Sequence, residues 1–339
     1  MFSRNSRFSS IRRSAIVRCI AAVGLGAAAS LTWAQANWPV KPVAFVVGYP
    51  PGGQTDFAGR LILPSMQATL GQSLVVENKG GAGGNIAAVD VVKAAPDGYR
   101  LMIGNGNITI NPHTYSAGVG MVDPLKFVPI GIVSQAALVL AVPSTSPIKS
   151  YAQLVSWIKA QEKAHASVDY GTSGPGSLTH ITTELWRDKI GNPQMNHIPY
   201  KGAGPAMIDL IAGRVNFMFD ATSSMAPFIK AGQLRPLMVT SAKRVAAFPE
   251  VPTAAEVGLK DFEISAFIGL YGPPGLSQDI VKKVNNAMNI ALKDAKVQRS
   301  FIDRGEEPGG GTPEQLAAIT KGDYKRWGEV VKAKNIRVE

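Results

Sequence analysis

Short apolar runs alternate along the chain with glycine-rich turns, and each turn leads into a stretch whose apolar residues recur every three to four positions. "PVAFVVGY" reads as a strand, "PPGGQTD" as a turn, and a helix is expected from about Phe57. The same order returns in "QSLVVENK", "GGAGGN" and "IAAVDVVKAA", in "ASVDYG", "TSGPGS" and "LTHITTELWRDKI", and in "NHIPY", "KGAGPA" and "MIDLIAG". Strand, glycine turn and helix in repetition mark an α/β protein with mostly parallel strands. Pro64 inside the first helix predicts a kink or break, because proline removes a ladder N–H and its ring crowds the preceding turn.

Further strands are expected at "RLMIGN", "LVLAVP", "VNFMFD" and "RPLMVTS". Beyond Ala242 the pattern loosens. "FPEVPTAAEVGL" predicts turns and a short helix, and "FEISAFIGLYGPPG" a strand with a proline-glycine stop. "SQDIVKKVNNAMNIALKD" places Ile280, Val284, Met288, Ala291 and Leu292 on one face of an amphipathic helix. The last helix, "TPEQLAAITKGDYKRWGEVVKAKNI", opens with Thr312, Pro313 and Gln315, which form an N-cap, a first-position proline and a capping box. Crossings in "ALVLAVPSTSPIKS" and between "RPLMVTS" and "EISAF" predict two domains. The first is discontinuous, 37–140 plus 262–339, and the second is 141–261.

The chain has 339 residues, 45% of them hydrophobic and 17% charged, which is a globular composition. Its first 36 residues stand apart. Arg4, Arg7, Arg12, Arg13 and Arg18 precede the apolar "CIAAVGLGAAASLTWA" and the small-residue triplet Ala34-Gln35-Ala36, the layout of a secretory signal peptide. Cleavage is expected after Ala36, with Ala34 as the alternative. Arg12-Arg13 leaves the twin-arginine route open beside the general secretory one. The formal net charge is +11, and the leader's five arginines with no acidic residue account for five of it, so the mature chain is only +6. No dense basic stripe with aromatic platforms accompanies that charge, which argues against nucleic-acid binding. Cys19 is the only cysteine and leaves with the leader, so the mature chain has no disulfide, thiolate ligand or thiol nucleophile.

Catalytic motifs are weak. Gly171-Thr172-Ser173-Gly174-Pro175 begins like a G-x-S-x-G elbow, but proline replaces its last glycine. The "GAGGNI" turn lacks the third glycine of G-x-G-x-x-G, and no Walker A run occurs. His113, His165, His180 and His197 show no metal-ligand spacing, so no metal or other cofactor is expected. What remains is the repeated glycine turn at a helix start. Helix N-termini leave backbone N–H groups free to hold an anion, and glycine lets it approach closely. Several such turns at one cleft would make a carboxylate receptor. Taken singly, each turn reads first as a tight strand-to-helix connection; it is their number that favours a binding protein.

The segments "WPVKPVAFVVGYPPGGQTD", "VVENKGGAGGNIAAVDVVKAAPDGYRLMIGN", "DYGTSGPGSLTHITTELW", "HIPYKGAGPAMIDLIAGRVNFMFD", "IKAGQLRPLMVTSAKR" and "FPEVPTAAEVGL" resemble the Bug family, the periplasmic substrate-binding proteins of tripartite tricarboxylate transporters. The match runs from Trp38 to the last helix. The resemblance implies a type II periplasmic-binding-protein fold: two α/β domains, two crossover strands and a ligand cleft that closes about a hinge. It implies capture of a small carboxylate (a di- or tricarboxylate, an aromatic acid or an acidic amino acid) by a monomer without enzymatic activity. The partner would be a two-component inner-membrane permease. Tyr49, Gly53, Thr55, Asp56, Gly83, Gly84, Asn85 and Asn105 would form the first wall of the cleft. Thr172, Ser173, His180, Lys201, Gly202 and Asp220 would form the second, with Phe267 and Tyr271 near the return crossover.

Several of these residues have structural alternatives. Asp56 is also placed to cap the first helix, since a carboxylate repels an anionic ligand. Asn85 is placed either to cap its own helix or to donate to ligand, and Asp220 either to bind a ligand amino group or to hold its own turn. Lys201 reads as a solvated lysine, and Phe267 and Tyr271 as core. Asn105, Asn107, Phe267 and Tyr271 together hint at an aromatic or mixed polar acid. The functional alternatives are an exported serine hydrolase using Ser173 and His180, and a structural envelope protein.

Overall fold

The computed structural model describes residues 38–115 and 121–338. The expected leader and its cleavage site lie outside them. The chain divides into two compact units at Val40/Lys41, and among the described residues the strands and helices belong to the second.

Strand β1 (Val43–Val47) is completely apolar because β2 (Leu74–Asn78) and β3 (Arg100–Asn105) flank it in parallel and helices cover it. Between β1 and β2 runs α1 (Gln54–Leu70), and between β2 and β3 a single 3-10 turn followed by α2 (Asn85–Val92). After β3 comes α3 (Asn107–Thr114), and then the 16-residue β4 (Val128–Pro143). A second set follows: α4 (Tyr151–Lys163), β5 (Asp169–Thr172), α5 (Leu178–Lys189), β6 (Asn196–Pro199), α6 (Ala203–Ile211), β7 (Phe217–Ala221), α7 (Thr222–Lys230) and β8 (Leu234–Val239). The chain closes with β9 (Ser265–Gly272), α8 (Gln278–Ala291), α9 (Ala295–Asp303), β10 (Glu306–Gly310) and α10 (Pro313–Lys334).

The strand order is β2-β1-β3-β9-β4-β7-β5-β6, with β8 and β10 also paired to β4. β4 therefore takes part in both halves of the sheet. Its residues from Val128 to Ala137 pair antiparallel with β9, and Glu306–Gly310 of β10 pairs along the same stretch. From Leu138 onward it pairs instead with β7 and β8. One hydrophobic cluster lies under the first half, around Val46, Met102 and Phe267, and another under the second, around Met207, Met218 and Met225. A third joins Trp186, Phe217 and Phe219 to Trp327 and Val331 of α10, so the last helix packs against second-half elements as well.

Several elements depart from the sequence reading. Helix α1 begins at Gln54, three residues before Phe57, with Gly53 as its N-cap, and it runs without interruption through Pro64. Pro64 is exposed, so water can meet the carbonyl that loses its partner. "FPEVPTAAEVGL" forms turns but no helix. Helix α3 was not expected, because Asn107, Asn111 and Pro112 make a poor helical sequence. β10 carries a proline and two glycines and gives no strand signal. Its Gly309 fits because a side chain there would place Cβ 2.3 Å from the Ile132 carbonyl oxygen. The capping box of α10 is as expected, with Gln315 Oε1 accepting the Thr312 N–H at 2.8 Å.

Candidate functional site

Five helix N-termini meet at one cavity of about 60 Å³, between the two halves of the sheet. Gly53, Gln54 and Thr55 come from α1, and Gly106 and Asn107 from α3. Across from them lie Leu178 and Thr179 of α5, Ala203 of α6, and Ala221 and Ser224 of α7. Tyr49, Pro50, Asn105, Ser173 and Asp220 stand on the intervening turns and strand ends, and Leu138 of β4 and Ala266 of β9 form the floor. This convergence follows from topology. In a parallel sheet every strand-to-helix turn emerges at the carboxyl end, and each helix directs its unpaired N–H groups and partial positive charge there.

The first wall is held by a side-chain network. The Tyr49 hydroxyl donates to the Gly83 carbonyl oxygen (2.7 Å) and accepts from Asn107 Nδ2 (2.7 Å). Burial pushes its phenol far above the ordinary range. Asn105 Nδ2 donates to Thr55 Oγ1 (3.3 Å), and Asn105 Oδ1 accepts the Asn107 N–H (3.1 Å). With its oxygen accepting from Asn105, the Thr55 hydroxyl proton is not used in that bond. Asn107 also bridges the walls, because its Oδ1 accepts the Leu178 N–H at 3.0 Å. A Cβ placed on Gly202 would lie 3.3 Å from Pro50 Cδ, and one on Gly204 3.3 Å from the Pro51 carbonyl oxygen. The walls thus touch on either side of the cavity, as in a closed cleft.

Not all the expected site residues reach the cavity. Tyr49, Gly53, Thr55, Asn105, Ser173 and Asp220 line it. Asp56 does not: its carboxylate accepts from the Gly52 N–H, Arg60 Nε and Asn78 Nδ2 at 2.9–3.1 Å, tying the turn to the helix and to β2. Gly83 presents its carbonyl to Tyr49 and Asn111, Gly84 packs under Gly48, and Asn85 Oδ1 accepts from Asn111 Nδ2 (3.0 Å). The whole second glycine turn therefore supports Tyr49 from behind. Thr172 is buried against His197, its Oγ1 2.6 Å from Nε2. Lys201 is exposed, and Gly202 starts α6 with φ +119° beneath Pro50.

Phe267 faces the core beneath Gly106, since strand alternation gives the cavity position to Ala266. Tyr271 is also core, its hydroxyl 2.9 Å from Thr320 Oγ1. Gln54, Leu178, Thr179, Ala203, Ala221 and Ser224 escaped the sequence reading. The β7–α7 turn has no glycine to mark it, and Gln54 lies in what reads as turn.

The hydrolase alternative is overturned by the same geometry. Ser173 Oγ lies 3.0 Å from Thr179 Oγ1. His180 is turned away from it: Nδ1 accepts the Gly176 N–H (3.1 Å), and the ring stacks on His197 at 3.9 Å. Burial holds both rings neutral, His180 down to about 4 and His197 down to about 3. Among the described residues no group of three or more His, Cys, Asp or Glu side chains is placed to hold a metal ion.

Among the described residues, no lysine, arginine or histidine lines the cavity, and Asp220 is the one carboxylate that does. Asp220 Oδ1 accepts the Ala221 N–H at 2.8 Å, whereas Oδ2 is buried without a partner. Burial pushes this carboxyl up to about 7, with the Ala221 amide and the Ser224 hydroxyl pulling the other way. A second buried acid, Glu306, lies nearby on β10. It is 2% exposed, neither carboxylate oxygen has a hydrogen-bond partner, and burial pushes it up to about 7. Gln54, Ser134 and Ser223 face it and draw its proton affinity down. Arg304 assists less, with its guanidinium stacked 4.0 Å over the Phe57 ring.

Comparison with known proteins agrees with this architecture. A model described as the tripartite tricarboxylate transporter family receptor matches residues 59–336. The periplasmic binding protein BugD is similar at 32% identity and TM-score 0.83, over 89% of this chain and 100% of that one. A protein of R. palustris solved with adipate is similar at 33% identity and TM-score 0.83, over 88% and 99% of the two chains. Another from Rhodopseudomonas palustris, solved with bound malate, is similar at 30% identity and TM-score 0.79, over 87% and 100%.

Proposed function

Because the chain belongs to the family of tripartite tricarboxylate transporter receptors, we propose that it captures a small carboxylate in the cavity beside Tyr49 for uptake by such a transporter. The family is one of periplasmic binding proteins rather than enzymes. The observation that carries the reading is the convergence of five helix N-termini on a cavity that, among the described residues, no cationic side chain lines. Such a site holds a carboxylate through backbone N–H groups and helix dipoles, helped by Thr55 and bridging water. Its small volume favours a compact acid over a bulky aromatic one. Relatives solved with adipate and malate support the same ligand class.

In this reading the two halves of the sheet are lobes, β4 and the return into β9 are the hinge, and the Asn107–Leu178 bond closes when ligand is held. The first 36 residues direct export and are removed. The mature monomer presents its closed face to the inner-membrane permease subunits.

The test is a thermal-shift panel of mono-, di- and tricarboxylates on protein refolded to remove carried ligand. A true ligand at about 100 times its Kd should add roughly 2.7 kcal/mol to the stability of the fold. Absence of any shift across the panel overturns the reading. Asn107→Ala removes both the cross-wall bond and a Tyr49 partner, and should weaken the binding of any ligand found by about tenfold.

A further inference from the structure

A single residue, Gln54, links the buried acid Glu306 to the ligand cavity, since it lines the one and faces the other. Glu306 also borders a groove of about 810 Å³ along β4 and the approach to β9, which gives water a route to it when the packing loosens. Pieces of both halves of the sheet enclose it. β10 carries the acid and pairs with β4, Glu306 opposite Ala136. Gln54 faces it from the first turn of α1, Ser134 from β4, and Ser223 from the first turn of α7 in the second half. Beside Ser223, Thr222 Oγ1 donates to the Gly305 carbonyl oxygen at 2.7 Å, which seats α7 on the entry to β10. The next residue along, Ser224, lines the ligand cavity. The start of α7 thus meets the ligand site through Ser224 and the acid through Ser223.

The enclosure is short of bonds. Both oxygens of Glu306 are buried without a hydrogen-bond partner, and so are Gln54 Nε2, Ser134 Oγ and Ser223 Oγ. Arg304 acts on the acid from the end of α9, but its guanidinium lies over the Phe57 ring. The groove brings Glu263, Glu307, Lys243, Arg244 and Arg326 to the same region, and none of them hydrogen-bonds to Glu306. Arg244 pairs with Glu256, and Arg326 donates to the Glu263 carbonyl oxygen. An acid in such a setting is held neutral while the walls are shut and ionises readily once water reaches it.

We propose that the protein takes up a proton at Glu306 as it closes on its carboxylate ligand, so that capture is tightened by acid and loosened by alkali. This rests on the capture-and-closure reading and adds a control to that site. Two causes act in the same direction. Closure seats Ser223 and the α7 turn against β10 and removes water from the acid. The ligand then brings a negative charge to the other side of Gln54, which disfavours ionised Glu306. The α7 N-terminus and Arg304 oppose both, yet burial prevails, and the acid stands raised to about 7 in this closed form. A group raised by closure strengthens binding fully below its open-state value, and the gain is lost as pH rises through about 7.

The experiment is calorimetric titration of refolded mature protein with malate, succinate and adipate at pH 6.5, in MES and in imidazole, whose different heats of ionisation report the protons exchanged. The unaltered protein should take up roughly half a proton or more per acid bound, and its Kd should rise about tenfold from pH 6 to pH 8. Asp220 is also buried and raised, so it shares in the uptake. Glu306→Gln should remove about half of that uptake or more, and flatten the dependence of Kd on pH to match. Binding without proton uptake by the unaltered protein overturns the inference while leaving carboxylate capture intact, and this arm needs no variant to fold. Uptake that is unchanged in Glu306→Gln overturns the assignment to Glu306. If none of the three acids binds, the inference and the compact-acid reading fall together.

Discussion

Replacing Glu306 by glutamine should stabilise the fold in alkali and leave it nearly unchanged in mild acid. The carboxyl is 2% exposed, on a strand paired with β4, and neither oxygen finds a hydrogen-bond partner. Burial raises it from an ordinary 4.5 to about 7. A raised acid holds its proton in the folded chain at pH values where the unfolded chain has released it. Its contribution is therefore fully present below 4.5, is lost as pH rises toward 7, and is constant beyond. Across that interval the folded state loses about 3 kcal/mol, at roughly 1.4 kcal/mol per pH unit. Glutamine has nearly the same shape and no charge to lose, and its amide can both donate and accept among Ser134, Ser223 and Gln54. Urea denaturation at pH 5, 7 and 9 checks this. The gain of Glu306→Gln over the unaltered protein should be small at pH 5 and reach about 3 kcal/mol at pH 9. Asp220 titrates in the same sense, so part of the pH slope should persist in the variant. An equal displacement at pH 5 and pH 9, or a loss at pH 9, would refute the reasoning.

Three further outcomes are open to the same assay. The stacked pair His180 and His197 is held neutral well below 6.5, so the unfolded chain takes up protons first as pH falls, and stability should drop between about 6.5 and 4; His180→Gln should flatten that acid limb, seen as a smaller difference between unfolding midpoints at pH 7 and pH 4. Gly309→Ala forces Cβ against the Ile132 backbone and should destabilise by on the order of 3 kcal/mol, whereas Gly322→Ala, in open space within α10, should be neutral or stabilise by up to about 1 kcal/mol.

How far the sequence reveals this molecule depends on whether a feature is local. The glycine turns are local. Gly53 and Gly202 lie in turns read as leading into helices, and they are the N-caps of α1 and α6, which begin three and four residues earlier than the sequence reading has them. The capping box of α10 and the buried face of α8 are local too. The division of labour among the turns is not. "GGAGGN" and "PPGGQTD" look alike as strings, yet Gly83 supports Tyr49 from behind while Gly53 and Thr55 line the cavity. The difference arises from the pairing of β1 with β2 and β3, which no single segment encodes. Phe267 shows a second limit. In "SAFIGLYG" both faces of the strand are apolar because both are buried, so alternation alone does not identify Ala266 as the residue facing the cavity. Asp220 is legible as a residue, but its unpartnered oxygen is a property of the closed packing around it.

The passage of β4 through both halves of the sheet makes its length a phase ruler. Val128–Ala137 is fixed in register by β9, and Leu138–Val142 by β7 and β8, so the residues near position 137 decide how the two pleats are timed relative to each other. A single inserted residue there would invert the second pleat, carrying Leu138 off the cavity floor and exchanging inward and outward faces as far as Pro143. Two inserted residues would restore the phase and simply move the walls apart. The turns at the helix starts carry no such constraint, whereas an odd change in the count of residues along this one strand must be absorbed by a bulge, as β4 already does at Pro129/Gly131, Ile132/Ser134 and Leu140/Ala141.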